Sequence, residues 1–363
     1  MKITQFTPTY FSDNSVIGGG EKYPQYVKKA LCLVPGISDQ DVGLISFGKE
    51  NMDLLDIDVK LIAGNQSNRA ECDWTALRNA LNCTDCLIVH QCLSEIGLCV
   101  AAQARLSGVR KVIGFDHGSG VYFRLNKDRR LCQVYSCLIA QSKFAEKFLM
   151  NYGVPYVYAP GPIDDIFFRC PSPFLCEQVH APFALTVGRI LPHKGYEDAI
   201  KACGKSLDYI ICGSRYDHDY TSYLEEVAQK HGTNVLVKEG LSNHEVRHLM
   251  SIASVYIHPS KHVDYKGNYH EKPELLGLAP LEALCCGTPV LVGCGGALPE
   301  LSTIEGCESY SSTNELESRL SNYLDKRPSM QQRKKIANSA SRGYGLLQFS
   351  KELFRAITTG SCD

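Results

Sequence analysis

The sequence predicts an α/β protein of two doubly wound, parallel-sheet domains, and three observations carry the prediction. Short apolar runs alternate with helical stretches along the chain, as strand–helix–strand units do. The runs end on small or polar clusters such as Gln141-Ser142, Gly213-Ser214 and Pro259-Ser260, where open parallel sheets bind ligands. The alternation breaks once, at the polar, proline-bearing stretch 169–182, which reads as a linker. A length of 363 residues accommodates two domains of ordinary size.

Taken in order, residues 2–8 form a first strand, and Gly18-Gly19-Gly20-Glu21 opens a helix running to about residue 33. Val42–Phe47, Val59–Ile62 and Cys86–His90 read as strands. Lys111–Phe115 is a buried strand ending on Asp116-His117-Gly118-Ser119-Gly120. Cys137–Ala140 is a strand followed by a helix, and 154–159 ends on Pro160-Gly161-Pro162-Ile163-Asp164. Beyond the linker, Phe183–Val187, 207–212, 235–237 and Val255–His258 are strands. Helices at 194–203, 217–231 and Asn243–Ile252 separate them, Val290–Val292 is a further strand, and the tail from residue 314 is helical and polar. Such alternation gives sheets wrapped on both faces, hence two Rossmann-like domains facing across a cleft. They fall at 1–165 and 166–345, with 346–363 a terminal helix packing back toward the first.

The composition is globular, 44% hydrophobic and 21% charged, and a net charge of -1 argues against a dedicated nucleic-acid binder. One local basic excess sets Arg105, Arg110, Lys111, Arg124, Lys127, Arg129 and Arg130 against Asp116 and Asp128. It reads as a solvated surface or as an interfacial patch for an anionic or lipid-linked acceptor. The 17 cysteines show no disulfide framework and read as reduced core residues of a cytosolic protein. Cys83 and Cys86 form a C-x-x-C near His90 and Cys92, without the second close pair of a zinc site. Met1-Lys2 runs straight into a strand with no apolar leader, and no apolar run approaches the ~20 residues of a membrane span.

The most informative stretch is E-L-L-G-L-A-P-L-E-A-L-C-C-G-T-P-V from Glu274, followed by G-G-A-L-P-E. Glu274 falls in a loop, Gly277-Leu278-Ala279-Pro280 starts a helix, and Glu282 sits in its first turn. Gly287 and Pro289 end the helix. Both carboxylates can then face one cleft beside helix N–H groups that attract anions. That suits a ligand with hydroxyls and phosphates, such as a nucleotide sugar. In Val187-Gly188-Arg189-Ile190-Leu191-Pro192-His193-Lys194-Gly195, Arg189 leaves a strand end and Lys194 heads a helix. Two fixed cations there can neutralise a diphosphate leaving group. The Gly18–Gly20 run can cradle a phosphate, although Tyr23 occupies the third glycine position of G-x-G-x-x-G. His117 stands at a predicted cleft edge, where a bond to a sugar hydroxyl is natural. Residues 261–273 read as a mobile polar loop with a turn at Gly267-Asn268, closing over donor or acceptor. Asp217-His218-Asp219 reads as a helix N-cap and first-turn acid rather than a metal-bridging pair, and no metal site is assigned.

Together these residues resemble retaining glycosyltransferases of family 4, which have the GT-B fold. The resemblance rests on G-G-G-E, His117, V-G-R…K-G, His258-Pro259-Ser260 and the E-x(7)-E segment, and it spans both domains in order. It implies an N-terminal acceptor-binding and a C-terminal nucleotide-sugar-binding domain. By resemblance Glu274 and His117 contact the donor sugar, Glu282 the ribose, and Arg189 and Lys194 the diphosphate. Gly19, Gly20, Gly188, Gly213, Leu241, Gly277, Leu278 and Ala279 line the donor site. The implied activity is metal-independent, cofactor-free transfer of a hexose, by family frequency from a UDP donor such as UDP-glucose. The acceptor is a growing polysaccharide or lipid-linked saccharide, and the setting is cytoplasmic, at the inner face of the membrane. The sequence departs from the family in Leu275-Leu276 after Glu274, in the long 261–273 segment, and in Pro160-Gly161-Pro162-Ile163-Asp164, which lacks the common Asn of the linker motif. A non-catalytic nucleotide-sugar-binding subunit is the alternative. A nicotinamide oxidoreductase is disfavoured by Tyr23.

Overall fold

The computed structural model describes residues 1–8, 19–48, 59–117, 129–168, 182–324 and 328–359. Gly18, Gly118–Gly120, Arg124, Lys127 and nearly all of the 169–182 linker lie outside the described residues. The chain forms two compact units, Met1–Pro162 with Leu346–Asp363, and Ile163–Gly345.

The first unit is a seven-stranded sheet in the order β3-β2-β1-β4-β5-β6-β7. Its strands are β1 (Ile3–Thr7), β2 (Val42–Phe47), β3 (Val59–Ile62), β4 (Cys86–His90), β5 (Lys111–Phe115), β6 (Cys137–Ala140) and β7 (Tyr156–Tyr158). Every pairing is parallel. Strands in such a sheet are covered on both faces, which is why β6 is apolar throughout, β4 is apolar up to its final His90, and both are wholly buried. The helices are α1 (Gly19–Leu31), α2 (Trp74–Ala80), α3 (Glu95–Leu106) and α4 (Lys143–Leu149). Asp73, Ser94 and Ser142 cap the last three by accepting a backbone N–H inside the first turn.

The last helix of the chain, α11 (Leu346–Thr359), also belongs to this unit. It buries Phe349, Leu353, Ala356 and Ile357, and Phe349 stacks on Phe115 at 6.1 Å. Ser350 Oγ donates to Ala30 O at 2.6 Å and Lys111 Nζ to Ile357 O at 2.6 Å, tying the helix to α1 and β5.

The second unit carries a six-stranded parallel sheet in the order β10-β9-β8-β11-β12-β13. The strands are β8 (Phe183–Val187), β9 (Asp208–Cys212), β10 (Val235–Lys238), β11 (Val255–His258), β12 (Val290–Val292) and β13 (Cys307–Ser309). The helices are α5 (Tyr196–Cys203), α6 (His218–His231), α7 (Asn243–Ile252), α8 (Leu278–Cys285), α9 (Thr313–Leu324) and α10 (Met330–Tyr344). Alternate strand residues feed two cores, one per face. Leu185, Tyr256, Val290 and Val292 pack with α7, α8 and α10, whereas Ala184, Ile257 and Leu291 pack with α5, α6 and α9. No described helix is long and apolar enough to cross a membrane.

In each sheet the strand order reverses once, between β1 and β4 and between β8 and β11. Ligands of such sheets bind outside the C-terminal strand ends at that reversal.

Candidate functional site

The reversal in the second unit gathers most of the predicted residues. Strand β8 ends on Val187-Gly188-Arg189, and β11 ends on His258-Pro259-Ser260. Arg189 is exposed, and its guanidinium lies 5.5 Å from the centre of the Tyr216 ring, a cation–π contact that limits where the side chain points. The turns after β8 and β9 touch, since a Cβ on Gly213 would stand 1.9 Å from Gly188 O. Only glycine fits there, and the approach lets both strand ends open onto the same space. A one-turn 3-10 helix, Pro192–Lys194, then presents Lys194.

Glu274 is the centre of this arrangement. Lys194 Nζ donates to Glu274 Oε2 at 2.7 Å, and His258 Nε2 lies 2.9 Å from the same oxygen. Oε1 accepts no hydrogen bond from any described residue. Burial alone would raise the pKa of Glu274, but the Lys194 ammonium and the His258 contact outweigh it and hold the carboxyl well below the usual range. The carboxylate is therefore ionised at any working pH. His258 is buried, and burial lowers its pKa. His193, beside Lys194, is pushed down to about 3 by burial and then by that ammonium. Around one anion stand one cation and neutral imidazoles.

Gly277 caps α8 in the left-handed region at φ 88°, followed by Leu278, Ala279 and Pro280. Glu282 is the fifth residue of that helix, one place beyond the first turn expected from the sequence, because the helix begins two residues before Pro280. It is 5% exposed, so a contact to a ribose needs close approach along the helix. Leu241 packs partly against the core of the unit. Asp217 caps α6 by accepting from Tyr220 N at 2.8 Å, the N-cap arrangement read from the sequence. Among the described residues no group of three or more His, Cys, Asp or Glu is arranged to hold a metal.

The 261–273 segment, expected as a polar loop with a turn at Gly267-Asn268, is a hydrogen-bonded hairpin. Val263 and Tyr269 form an antiparallel bridge. The Asp264 carboxylate accepts the backbone N–H groups of Lys266 and Asn268, and also Asn268 Nδ2 and His270 Nε2. Burial would raise its pKa, but these donors bring it to about 2. At its base, Lys261 Nζ pairs with Glu197 at 2.5 Å and Asp198 at 2.8 Å on α5, and Lys261 N donates to His193 O. His262 Nε2 accepts Gly296 N–H at 3.1 Å. One buried carboxylate supplies the hairpin's internal hydrogen bonding.

In the first unit α1 begins at Gly19-Gly20. His117 lies beyond β5, in a chain of side chains where both its ring nitrogens are engaged. Its Nε2 is 2.6 Å from His90 Nδ1, and its Nδ1 is 3.0 Å from Gln141 Nε2. His90 Nε2 is 2.9 Å from Gln5 Oε1, and Tyr23 Oη donates to Gln141 Oε1 at 2.6 Å. Gln5 Nε2 donates to Pro24 O, so its Oε1 is the acceptor for His90. Burial lowers His90 to about 3 and depresses His117, with His90 beside it adding to the effect. Both rings are thus neutral, and the bonds run in one direction. The sequence led to the expectation of a bond from His117 to a sugar hydroxyl, and in this structure both ring nitrogens have partners within the unit. The basic excess is also partly engaged. Arg105 donates to Val134 O, Arg110 O and Ser136 Oγ, and Arg110 pairs with Asp85.

Sequence reasoning missed the bond between His258 and Glu274 and the stacking of Tyr216 on Arg189. The available signal for the first was a histidine closing an otherwise apolar strand.

Comparison with known proteins bears on the family and the fold. Residues 177–341 match the model of the family Glycosyl transferases group 1. The alpha-maltose-1-phosphate synthase of Mycolicibacterium smegmatis is 26% identical over 154 residues, 40% of this chain and 36% of that protein, so the match spans about a third of the relative. A glycosyltransferase from Rickettsia africae superposes with TM-score 0.76 at 14% identity, over 99% of this chain and 98% of the other. Anabaena HepE, solved in complex with UDP and glucose, gives 0.76 at 16% identity, over 99% and 100%. These likenesses show the fold, two Rossmann-like domains of the GT-B type. The family match covers residues 177–341, under half of the chain.

Proposed function

We propose that this chain, with its group 1 family match on a GT-B fold, is a retaining, metal-independent hexosyltransferase that takes a UDP-hexose such as UDP-glucose. The acceptor is a hydroxyl of a saccharide or a lipid-linked saccharide, and the protein works at the cytoplasmic face of a membrane. One observation carries the reading: Glu274 is ionised and anchored through Oε2 only, beside Lys194 and Arg189 at the strand reversal. An anchored carboxylate with its second oxygen open suits the hydroxyls of a sugar. Two cations within the same strand-end cluster suit a diphosphate.

In the reaction the bond from the anomeric carbon to the diphosphate breaks ahead of attack. Arg189 and Lys194 stabilise the departing charge, and the N-terminus of α8 adds its N–H groups. Lys194 serves both partners, holding Glu274 before the donor arrives and the diphosphate afterwards. Glu274 Oε1 orients the sugar. The acceptor oxygen then bonds to the anomeric carbon on the face the diphosphate leaves, and its proton passes to a departing phosphate oxygen. A retaining outcome by this route needs no covalent nucleophile.

The test is UDP release over a panel of UDP, GDP and ADP sugars with saccharide acceptors, with the product anomer read by NMR. A retained anomer from a UDP-hexose is the expected result, and an inverted one overturns the mechanism. Stabilisation by UDP-sugars without turnover on any acceptor would instead favour a non-catalytic binding subunit. A ligand at a hundred times its Kd stabilises by about 2.7 kcal/mol, well within reach of a thermal shift.

A further inference from the structure

We infer that His258 is a positioning residue for Glu274, giving its Nε2–H to Oε2 so that Oε1 stays turned toward the donor sugar when Lys194 transfers to the diphosphate. The inference deepens the reading of the site as a glycosyltransferase centre and rests on it.

The geometry separates a fixed partner from an exchangeable one. Lys194 rides on the one-turn helix Pro192–Lys194 and reaches Glu274 with a flexible ammonium. A diphosphate carries more charge than one carboxylate, so it competes for that ammonium. His258 cannot follow. Its ring is 2% exposed, and it closes β11, whose neighbours are β8 and β12. Tyr256, two residues back on the same strand, stacks near it at 6.2 Å.

The tautomer follows from the neighbours. A neutral imidazole beside the Glu274 anion carries its proton on Nε2, where the carboxylate accepts it. Nδ1 is then bare, and it faces the Tyr256 hydroxyl at 3.4 Å. That hydroxyl accepts Val187 N–H at 3.1 Å and holds its own proton toward Val187 O at 3.2 Å or His258 Nδ1. The chain from Val187 through Tyr256 and His258 to Glu274 links the end of β8 to the carboxylate without a second formal charge. With Lys194 already beside Glu274, a charged imidazole would put two cations next to one anion in a buried place. The neutral form avoids that cost.

The substitutions His258→Gln, His258→Asn and His258→Phe read the inference directly. Glutamine places an N–H near the position of Nε2, whereas asparagine reaches only as far as Nδ1. His258→Gln should recover most of the wild-type kcat. His258→Asn and His258→Phe should lose about tenfold to a hundredfold in kcat. The same two should lose the gain in affinity of UDP-hexose over UDP, while UDP itself binds as in wild type. Equal kinetics for Gln and Asn variants would overturn the inference, as would a loss confined to UDP affinity. A second measurement does not depend on activity. In histidine-15N-labelled protein, His258 should show a protonated Nε2 and a bare Nδ1 between pH 6 and 8, and its signals should move in Glu274→Gln. An Nδ1–H tautomer sinks the inference even if no sugar nucleotide is a substrate. Failure of the wild type to turn over any donor, with the expected tautomer present, sinks the functional reading alone.

Discussion

Strands β4 and β11 occupy the same topological place in their units, the inner partner across the strand reversal, and each ends on a histidine. The two histidines do opposite things. His90 meets Gln5, His117 and, through them, Gln141, Tyr23 and Pro24, all neutral groups. Each ring nitrogen of the pair has one partner of the right kind, and no charge enters. His258 meets an ionised carboxylate that also holds a lysine and keeps one oxygen open. A residue at a strand end is therefore not a functional signal by itself. What distinguishes the two ends is whether the hydrogen-bonding capacity around the histidine is closed within the unit or left with one acceptor unmatched.

The comparison breaks if the second end is not the reactive one. Lys194→Ala should cut turnover roughly a hundredfold or more, the scale of losing one contact to the leaving charge, while the protein stays folded. Turnover near that of wild type, with an unchanged circular dichroism spectrum, would remove Lys194 from the chemistry.

It sharpens at the first end. His90→Leu orphans Gln5 Oε1 and the His117 Nε2–H together, at a cost of roughly 2–4 kcal/mol in urea unfolding. The gain of UDP-hexose over UDP should not change. The same end should be acid-sensitive. His90 titrates near 3 when folded but near the ordinary 6.5 when unfolded, so the unfolded chain binds the extra proton between those values. Its contribution is complete above about pH 6.5 and is lost as pH falls toward 3, at up to roughly 1.4 kcal/mol per pH unit. His90→Gln should flatten that decline in acid unfolding curves, and an unchanged slope would argue against a neutral buried ring.

Glu282→Gln should weaken UDP binding by about tenfold with kcat little altered, since a ribose contact is shared by ground and transition states. An equal loss in kcat would join Glu282 to the sugar-orienting group. The smallest effect concerns metal: EDTA should leave the rate where it was, and abolition with rescue by Mn²⁺ would overturn the cation roles of Arg189 and Lys194.

Most of the strand framework was legible because parallel-sheet strands announce themselves as apolar runs ended by small residues. Val42–Phe47, Lys111–Phe115, Phe183–Val187 and Val255–His258 appear as read. Less legible were α2, α3 and β13. Helix α3 mixes glycine and cysteine with alanine in a mostly apolar segment, and β13 is a three-residue edge. In the site, residue types were legible and their partners were not. Glu274 could be read from its spacing to Glu282, but its bond to His258 depends on how the loop after β11 folds back. Tyr23 and Gln141 meet across 118 positions, a pairing no local pattern encodes. The hairpin pairing at 261–273 was not legible because it is organised by the Asp264 carboxylate, whose donors lie two to six residues onward and carry no periodic signal.

The return of α11 to the first unit bears on how the protein is made. Ribosomes deliver a chain from its N-terminus, and the leading domain ordinarily completes itself while the rest is still being synthesised. Here the leading unit lacks its final helix until residues 346–359 emerge, and the faces of α1 and β5 that meet Ser350, Phe349 and Ile357 wait uncovered until then. The second unit, contiguous from Ile163 to Gly345, has all its strands before that moment. Synthesis thus inverts the customary order: the unit translated second can finish first, and the unit translated before it is sealed by a helix that follows both.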